Sequence, residues 1–83
     1  MGKYEIEFSS KAAKNYKKLR NEYKSLIDMA LIRLSEGLPL DVKPITGERN
    51  LYRIRVGKYR VLFTIIKEVI VVLRIGPRGD VYK

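Results

Sequence analysis

The chain has 83 residues, 46% of them hydrophobic, and carries a formal charge of +9. That apolar content suffices for one packed core, so residues 1–83 are read as a single domain and global disorder is excluded. Cysteine and histidine are both absent, which removes disulfides, zinc clusters and imidazole chemistry. The scattered acids form no ligand motif, and no metal or other cofactor is expected.

So large a positive excess implies a polyanionic partner, an acidic protein partner, or both. The N-terminus, Met-Gly-Lys-Tyr-Glu-Ile-Glu, alternates and carries charges, unlike a signal peptide. The apolar run Val61 to Ile75 is broken by Lys67, Glu68 and Arg74 and is too short and charged to span a bilayer. No membrane association is expected, and a cytoplasmic location is.

In chain order, Tyr4, Ile6 and Phe8 alternate with Glu5 and Glu7, which predicts a half-buried strand. Ser9 or Ser10 then caps a first helix. Ala12, Ala13, Tyr16 and Leu19 share one face of it; Lys11, Lys14, Lys17 and Lys18 share the other. A break near Arg20 leads to a second helix with Asn21 as its cap. Tyr23, Leu26, Ile27, Ala30, Leu31 and Leu34 supply its apolar stripe. Gly37 ends that helix and Pro39 prevents its continuation.

Residues 38–50 read as loop. Three strands follow, Leu51–Val56, Tyr59–Ile66 and Val69–Ile75, with tight turns at Gly57-Lys58 and Lys67-Glu68. Gly76-Pro77 stops the last strand, and Asp80–Lys83 is a candidate edge strand. The expected fold is α+β in the order βααβββ, a twisted, largely antiparallel sheet backed by an N-terminal helical hairpin.

Alternation assigns the two faces. Tyr52, Ile54 and Val56 point one way, and Arg53 and Arg55 the other. The helical hairpin covers one face and takes the apolar set, which leaves Arg53 and Arg55 on the open face about 7 Å apart. With Val61, Phe63 and Ile65 in the core, Arg60, Leu62 and Thr64 join the arginines. Strict alternation in the last strand adds Arg74 and Val72 to the open face. Leu62 and Val72 would then be apolar spots requiring a partner's cover.

Arginine binds phosphate through a planar, bidentate fork and stabilises developing negative charge. Its guanidinium stays protonated far above neutral pH, which makes it a poor base. This cluster therefore supplies electrostatic stabilisation readily and proton transfer poorly. It suits an RNA phosphodiester attacked by its own 2′-hydroxyl, or binding without cleavage. Tyr59 and Tyr82 offer rings for a splayed base, while core packing is the other reading of Tyr59. Lys58, Arg74 and Lys83 add cations near this surface. Lys11, Lys14 and Lys18 form either a solvated helix face or a second docking surface for structured RNA.

The Tyr52-Arg53-Ile54-Arg55 strand, the Gly57-Lys58-Tyr59-Arg60-Val61 hairpin and the Gly76-Pro77-Arg78-x-x-Val81-Tyr82 ending resemble the RelE/ParE toxin superfamily over nearly the whole chain. The Pro-Arg-Gly-x-x-Tyr-Lys ending resembles archaeal RelE-like members in particular. The resemblance implies a microbial-ribonuclease-type fold. It also implies a toxin that cuts mRNA on the ribosome without metal, leaving 2′,3′-cyclic phosphate and 5′-hydroxyl ends.

An acidic, RelB-like antitoxin would inhibit it, with the toxin monomeric or in a heterotetramer with that partner. Carried over by position, the catalytic roles fall on five residues. Arg53 and Arg55 occupy the two basic positions of the first hairpin strand, the second of which is a general base where it is lysine. Arg60 stabilises the transition state, Arg78 is the general acid, and Tyr82 stacks on the nucleotide. Two departures stand out: both lysine positions are arginine here, and the segment between Arg78 and Tyr82 is shorter than in bacterial RelE. The ParE branch, directed at gyrase without RNA cleavage, and a non-catalytic RelE-like binder are the alternatives. Retention of the basic-plus-tyrosine set favours RelE.

Overall fold

The computed structural model describes residues 4–37 and 42–77. In chain order they form β1 (Glu5–Phe8), α1 (Ser10–Lys17), α2 (Asn21–Ser35), β2 (Val42–Pro44), β3 (Leu51–Val56), β4 (Tyr59–Ile66) and β5 (Val69–Pro77). The class is α+β, as expected, with one strand more than predicted. The expected edge strand at Asp80–Lys83 lies outside the described residues. Neither described helix is long and apolar enough to cross a membrane.

Ser9 sets the entry to α1. Its hydroxyl accepts a hydrogen bond from the Ala12 amide at 3.0 Å and donates one to the Leu73 carbonyl at 2.9 Å. One side chain thus caps the helix and ties it to β5. Ser9→Ala is expected to lose about 1–2 kcal/mol from these two bonds together. That reads as a melting temperature lower by roughly 4–8 °C per kcal/mol. Ser9→Thr, which keeps the hydroxyl, should recover most of it. An alanine variant that melts with the parent would show that water replaces both bonds.

The second helix starts differently from expectation. Asn21 is its first helical residue; the cap position is Arg20, which makes no side-chain cap bond. Glu22 in the first turn supplies the negative charge that a helix N-terminus favours. The Tyr16 hydroxyl donates to Asp28 Oδ1 at 2.7 Å and pins the two helices together. That hydrogen bond, with smaller contributions from burial and the carboxylate charge, raises the Tyr16 pKa above its ordinary value. Gly37 closes α2 at φ +74°, a left-handed conformation in which glycine carries no Cβ penalty.

Ile27 and Leu31 are the fully or nearly buried residues of α2, and Ala12 is that of α1. They meet Ile54, Val56, Val61, Phe63, Ile70, Val72 and Ile75 from the sheet. Leu26 departs from the predicted stripe: it is exposed and lines up with exposed Met29 and Ile32 on the outer side of the helix. The Ile27–Leu31 ridge, flanked by Ala30 and Leu34, already fills the interface with the sheet.

The five strands lie in the order β1-β5-β4-β3-β2. Only β1 runs parallel to its neighbour, pairing Glu5–Phe8 with Val69–Val72. The remaining pairs are antiparallel. Two expectations about this sheet are corrected. Residues 42–44 were read as loop, yet they pair with β3, Val42 with Ile54, Lys43 with Arg53 and Pro44 with Tyr52. Pro44 is tolerated because β2 is an edge, where one side of the strand needs no partner. Gly76 and Pro77 continue β5 rather than stopping it, opposite Arg60 and Tyr59.

A bulge decides the faces of β5. Leu62 pairs with Arg74, but Phe63 pairs with Val72, which leaves Leu73 as the extra residue. The inserted residue reverses the side-chain parity. Ile70, Val72 and Ile75 therefore all reach the core, and Val72 is fully buried there. The expectation that Val72 stands on the open face is overturned.

Candidate active site

Three strands bring four cations to the face of the sheet that the helices leave uncovered. Lys43 on β2, Arg53 and Arg55 on β3, and Arg60 on β4 line one pocket. The register explains the convergence: Lys43 lies directly across from Arg53, and Arg55 directly across from Arg60. Cross-strand partners in an antiparallel pair hold their Cβ atoms about 5 Å apart. The free space within is about 10 Å³, room for a single water-sized group.

Arg60 is the unusual member. It is only 6% exposed, the buried charged residue of the described chain. Its Nε lies out of contact with water and has no hydrogen-bond partner. An unpaired buried polar group costs stability, and a like charge directly opposite, Arg55, adds to that cost. Among the described residues no acid lines the pocket. The arrangement is costly for the protein alone and suited to an anion that completes it.

Arg74 lies on the same face, separated from Arg53 in register by Leu62. Leu62 itself is 7% exposed. It sits between two arginines whose long aliphatic stems can shield it, so the expected bare apolar spot is absent.

The structure gathers the predicted residues only in part. Arg53, Arg55 and Arg60 come together. Tyr59 does not join them: its ring lies on the helix-covered side, packed edge-on against Tyr23 at 4.9 Å. Lys58 accompanies it, with Nζ 5.1 Å from the centre of the Tyr23 ring. Lys11, Lys14 and Lys18 are exposed on or just after α1, which packs on the core side of β5. They belong to the opposite side of the sheet from the pocket. Arg78, Tyr82 and Lys83 lie outside the described residues.

Lys43 is the pocket residue that sequence reasoning missed. A three-residue strand is too short for periodicity to register, and Pro44 argued for a loop. Among the described residues no group of three or more carboxylates is placed to hold a metal ion.

A five-stranded α+β sheet with two helices on one face and a cationic pocket on the other defines a small domain built to meet anions. Comparison with known proteins is consistent with that frame. The sequence profile described as the ParE toxin of type II toxin-antitoxin system, parDE, matches residues 6–82. The Methanocaldococcus jannaschii protein RelE1 is 26% identical over 87 aligned positions, covering 98% of this chain and 97% of that protein.

Among solved structures, the RelB–RelE antitoxin–toxin complex from Methanococcus jannaschii superposes with a TM-score of 0.71 at 30% identity, covering 92% of this chain and 94% of that one. The isolated Escherichia coli RelE toxin gives a TM-score of 0.80 at 25% identity, with 95% and 90% covered. The chain belongs to the RelE/ParE toxin family of type II toxin–antitoxin systems, and the relatives named here are RelE-type toxins.

Proposed function

We propose that this toxin is a ribosome-dependent mRNA endoribonuclease that needs no metal for its chemistry. The observation that carries the reading is Arg60, buried in a four-cation pocket with its Nε unpartnered. In the reaction the substrate's 2′-hydroxyl attacks the adjacent phosphorus and the 5′-oxygen leaves. Negative charge accumulates on the non-bridging oxygens in the transition state. A preorganised cation in a largely water-excluded site stabilises that charge far better than one in water. Arg60 takes this role, and Arg53 and Arg55 hold the flanking phosphates through their bidentate forks. By resemblance, Arg78 acts at the leaving oxygen and Tyr82 stacks on the nucleotide. Because the nucleophile belongs to the substrate, the protein needs to supply only charge stabilisation and proton transfer.

The partner in the cell is a small acidic antitoxin of the RelB kind, in keeping with the +9 charge and with the RelB-bound archaeal relative. Both partners act in the cytoplasm. Primer extension on mRNA in a translating extract tests the activity: codon-spaced cuts that survive EDTA, once ribosome integrity is controlled, are expected. Binding to single-stranded RNA should weaken steeply with salt. With about four phosphates neutralised, log K falls against log salt with a slope near −3, at about −0.7 per phosphate. A slope near zero would remove the cationic face from RNA binding. The ParE description of the matching profile favours one second reading, inhibition of DNA gyrase. Loss of supercoiling with mRNA left intact would establish it.

A further inference from the structure

Of the described side chains that line the pocket, three are arginines and one is Lys43. The three guanidiniums are permanent cations and reluctant proton donors and acceptors. A lysine ammonium is a stronger acid than a guanidinium. It carries a proton that can pass to a departing alkoxide. Among the described residues no carboxylate lines the pocket, and the chain has no histidine. The other charged groups that line the pocket with Lys43 are Arg53 and Arg55 from β3 and Arg60 from β4.

Lys43 also has the reach that the task requires. It lies on the sheet edge, it is exposed, and it is paired directly across from Arg53. Its ammonium is a compact charge with three donors on a flexible four-carbon stem. On the endoribonuclease reading Arg53, across the ladder from Lys43, holds a phosphate within range of that ammonium.

We propose that Lys43 is the proton donor to the leaving group. This rests on the endoribonuclease reading above and assigns it a residue. In the step, the 2′-hydroxyl gives its proton to solvent water and its oxygen bonds to phosphorus. The bond from phosphorus to the 5′-oxygen breaks, and the proton on Lys43 Nζ passes to that oxygen. The products are a 2′,3′-cyclic phosphate and a 5′-hydroxyl, and Lys43 regains its proton from water. Arg78, which the family resemblance places at the same oxygen, then contributes charge rather than the proton.

The test uses the full-length toxin in a reconstituted translation complex. The mRNA carries, at the scissile position, either the natural 5′-oxygen or a bridging 5′-sulfur. A thiolate leaves without protonation, so a missing donor matters only for the oxygen substrate. Lys43→Met is expected to cut the oxygen substrate about 10²–10⁴-fold more slowly than the parent, the range for loss of general acid–base help. It should cut the sulfur substrate within about tenfold of the parent. Lys43→Arg, which keeps the charge but is a weaker acid, should fall at least about tenfold on oxygen and recover on sulfur. Melting temperature, measured alongside, should stay near the parental value at this exposed edge site.

Equal losses on both substrates would assign Lys43 to charge or positioning and overturn the proposal. So would parental rates for both variants, or sulfur rescue of Arg78→Ala in place of Lys43→Met. A parent that cuts neither substrate would instead bring down the endoribonuclease reading itself.

Discussion

Replacing Arg60 with methionine should abolish most of the proposed cleavage activity and make the protein more stable. Removing one preorganised donor from a developing oxyanion costs about 10²–10³ in rate, and Arg60 occupies the buried end of the cationic pocket. The stability gain follows from the same burial. Nε of Arg60 is desolvated and unpartnered, and leaving such a group unsatisfied costs about 1–3 kcal/mol. Arg55, directly across the ladder, adds a like-charge penalty of about 0.2–1 kcal/mol.

Methionine fills a similar volume without charge and adapts its shape to irregular gaps. A net gain of about 1 kcal/mol, or a melting temperature higher by roughly 4–8 °C, is expected. The two measurements are thermal denaturation of the isolated toxin and primer extension in extract. A variant that melts well below the parent would mean that Arg60 holds the sheet together. A variant that cuts at the parental rate would remove it from the chemistry. The opposed directions are the informative part, because a merely structural arginine would lose both.

How much of this was legible beforehand depends on how long each alternating run is. In β3 and the first half of β4 the two-residue period is unbroken, and it correctly placed Arg53, Arg55 and Arg60 together on the uncovered face. The same parity sets Tyr59 with Val61 and Phe63, which is why its ring packs on the helix side rather than beside the arginines. In β5 the apolar run Val69 to Leu73 carries no polar residue to mark a change of parity. The bulge at Leu73 was therefore invisible, and Val72 was assigned to the wrong face. Strand β2 was missed because it is held by pairing with β3 and not by any pattern of its own, and Lys43 was missed with it. Leu26 satisfied the helical spacing as well as Ile27 does; the contest between two overlapping stripes is settled only by which one meets the sheet.

Phe63→Ala should remove a large share of the toxin's stability, although no residue of the pocket is touched. Phe63 is fully buried and lies on β4, the middle strand of the sheet. Its ring stacks on Tyr52 at 5.6 Å between centroids, with 25° between planes. Truncating a buried phenylalanine costs about 3–5 kcal/mol. A domain of this size holds only about 4–12 kcal/mol in total, at about 0.05–0.15 kcal/mol per residue. The loss therefore removes a large share of the stability, and all of it at the lower end.

Phe63→Leu, which keeps most of the apolar volume, should cost much less, about 1–2 kcal/mol, and should retain cleavage. Urea denaturation followed by circular dichroism distinguishes the cases. The alanine variant should shift the midpoint with little change in slope, since the slope reports the surface exposed on unfolding.

A bound antitoxin adds stability by mass action, about 2.7 kcal/mol at a hundredfold excess over its dissociation constant, so the alanine variant should fold measurably better in the complex. The consequence for the site is geometric. Phe63 anchors β4 from the core side, while Arg60 and Leu62 project from the same strand to the other face. Without that anchor the register that sets Arg55 against Arg60 loses its support. A Phe63→Ala toxin that unfolds at the parental urea concentration and cuts mRNA normally would show that the pocket is held from elsewhere.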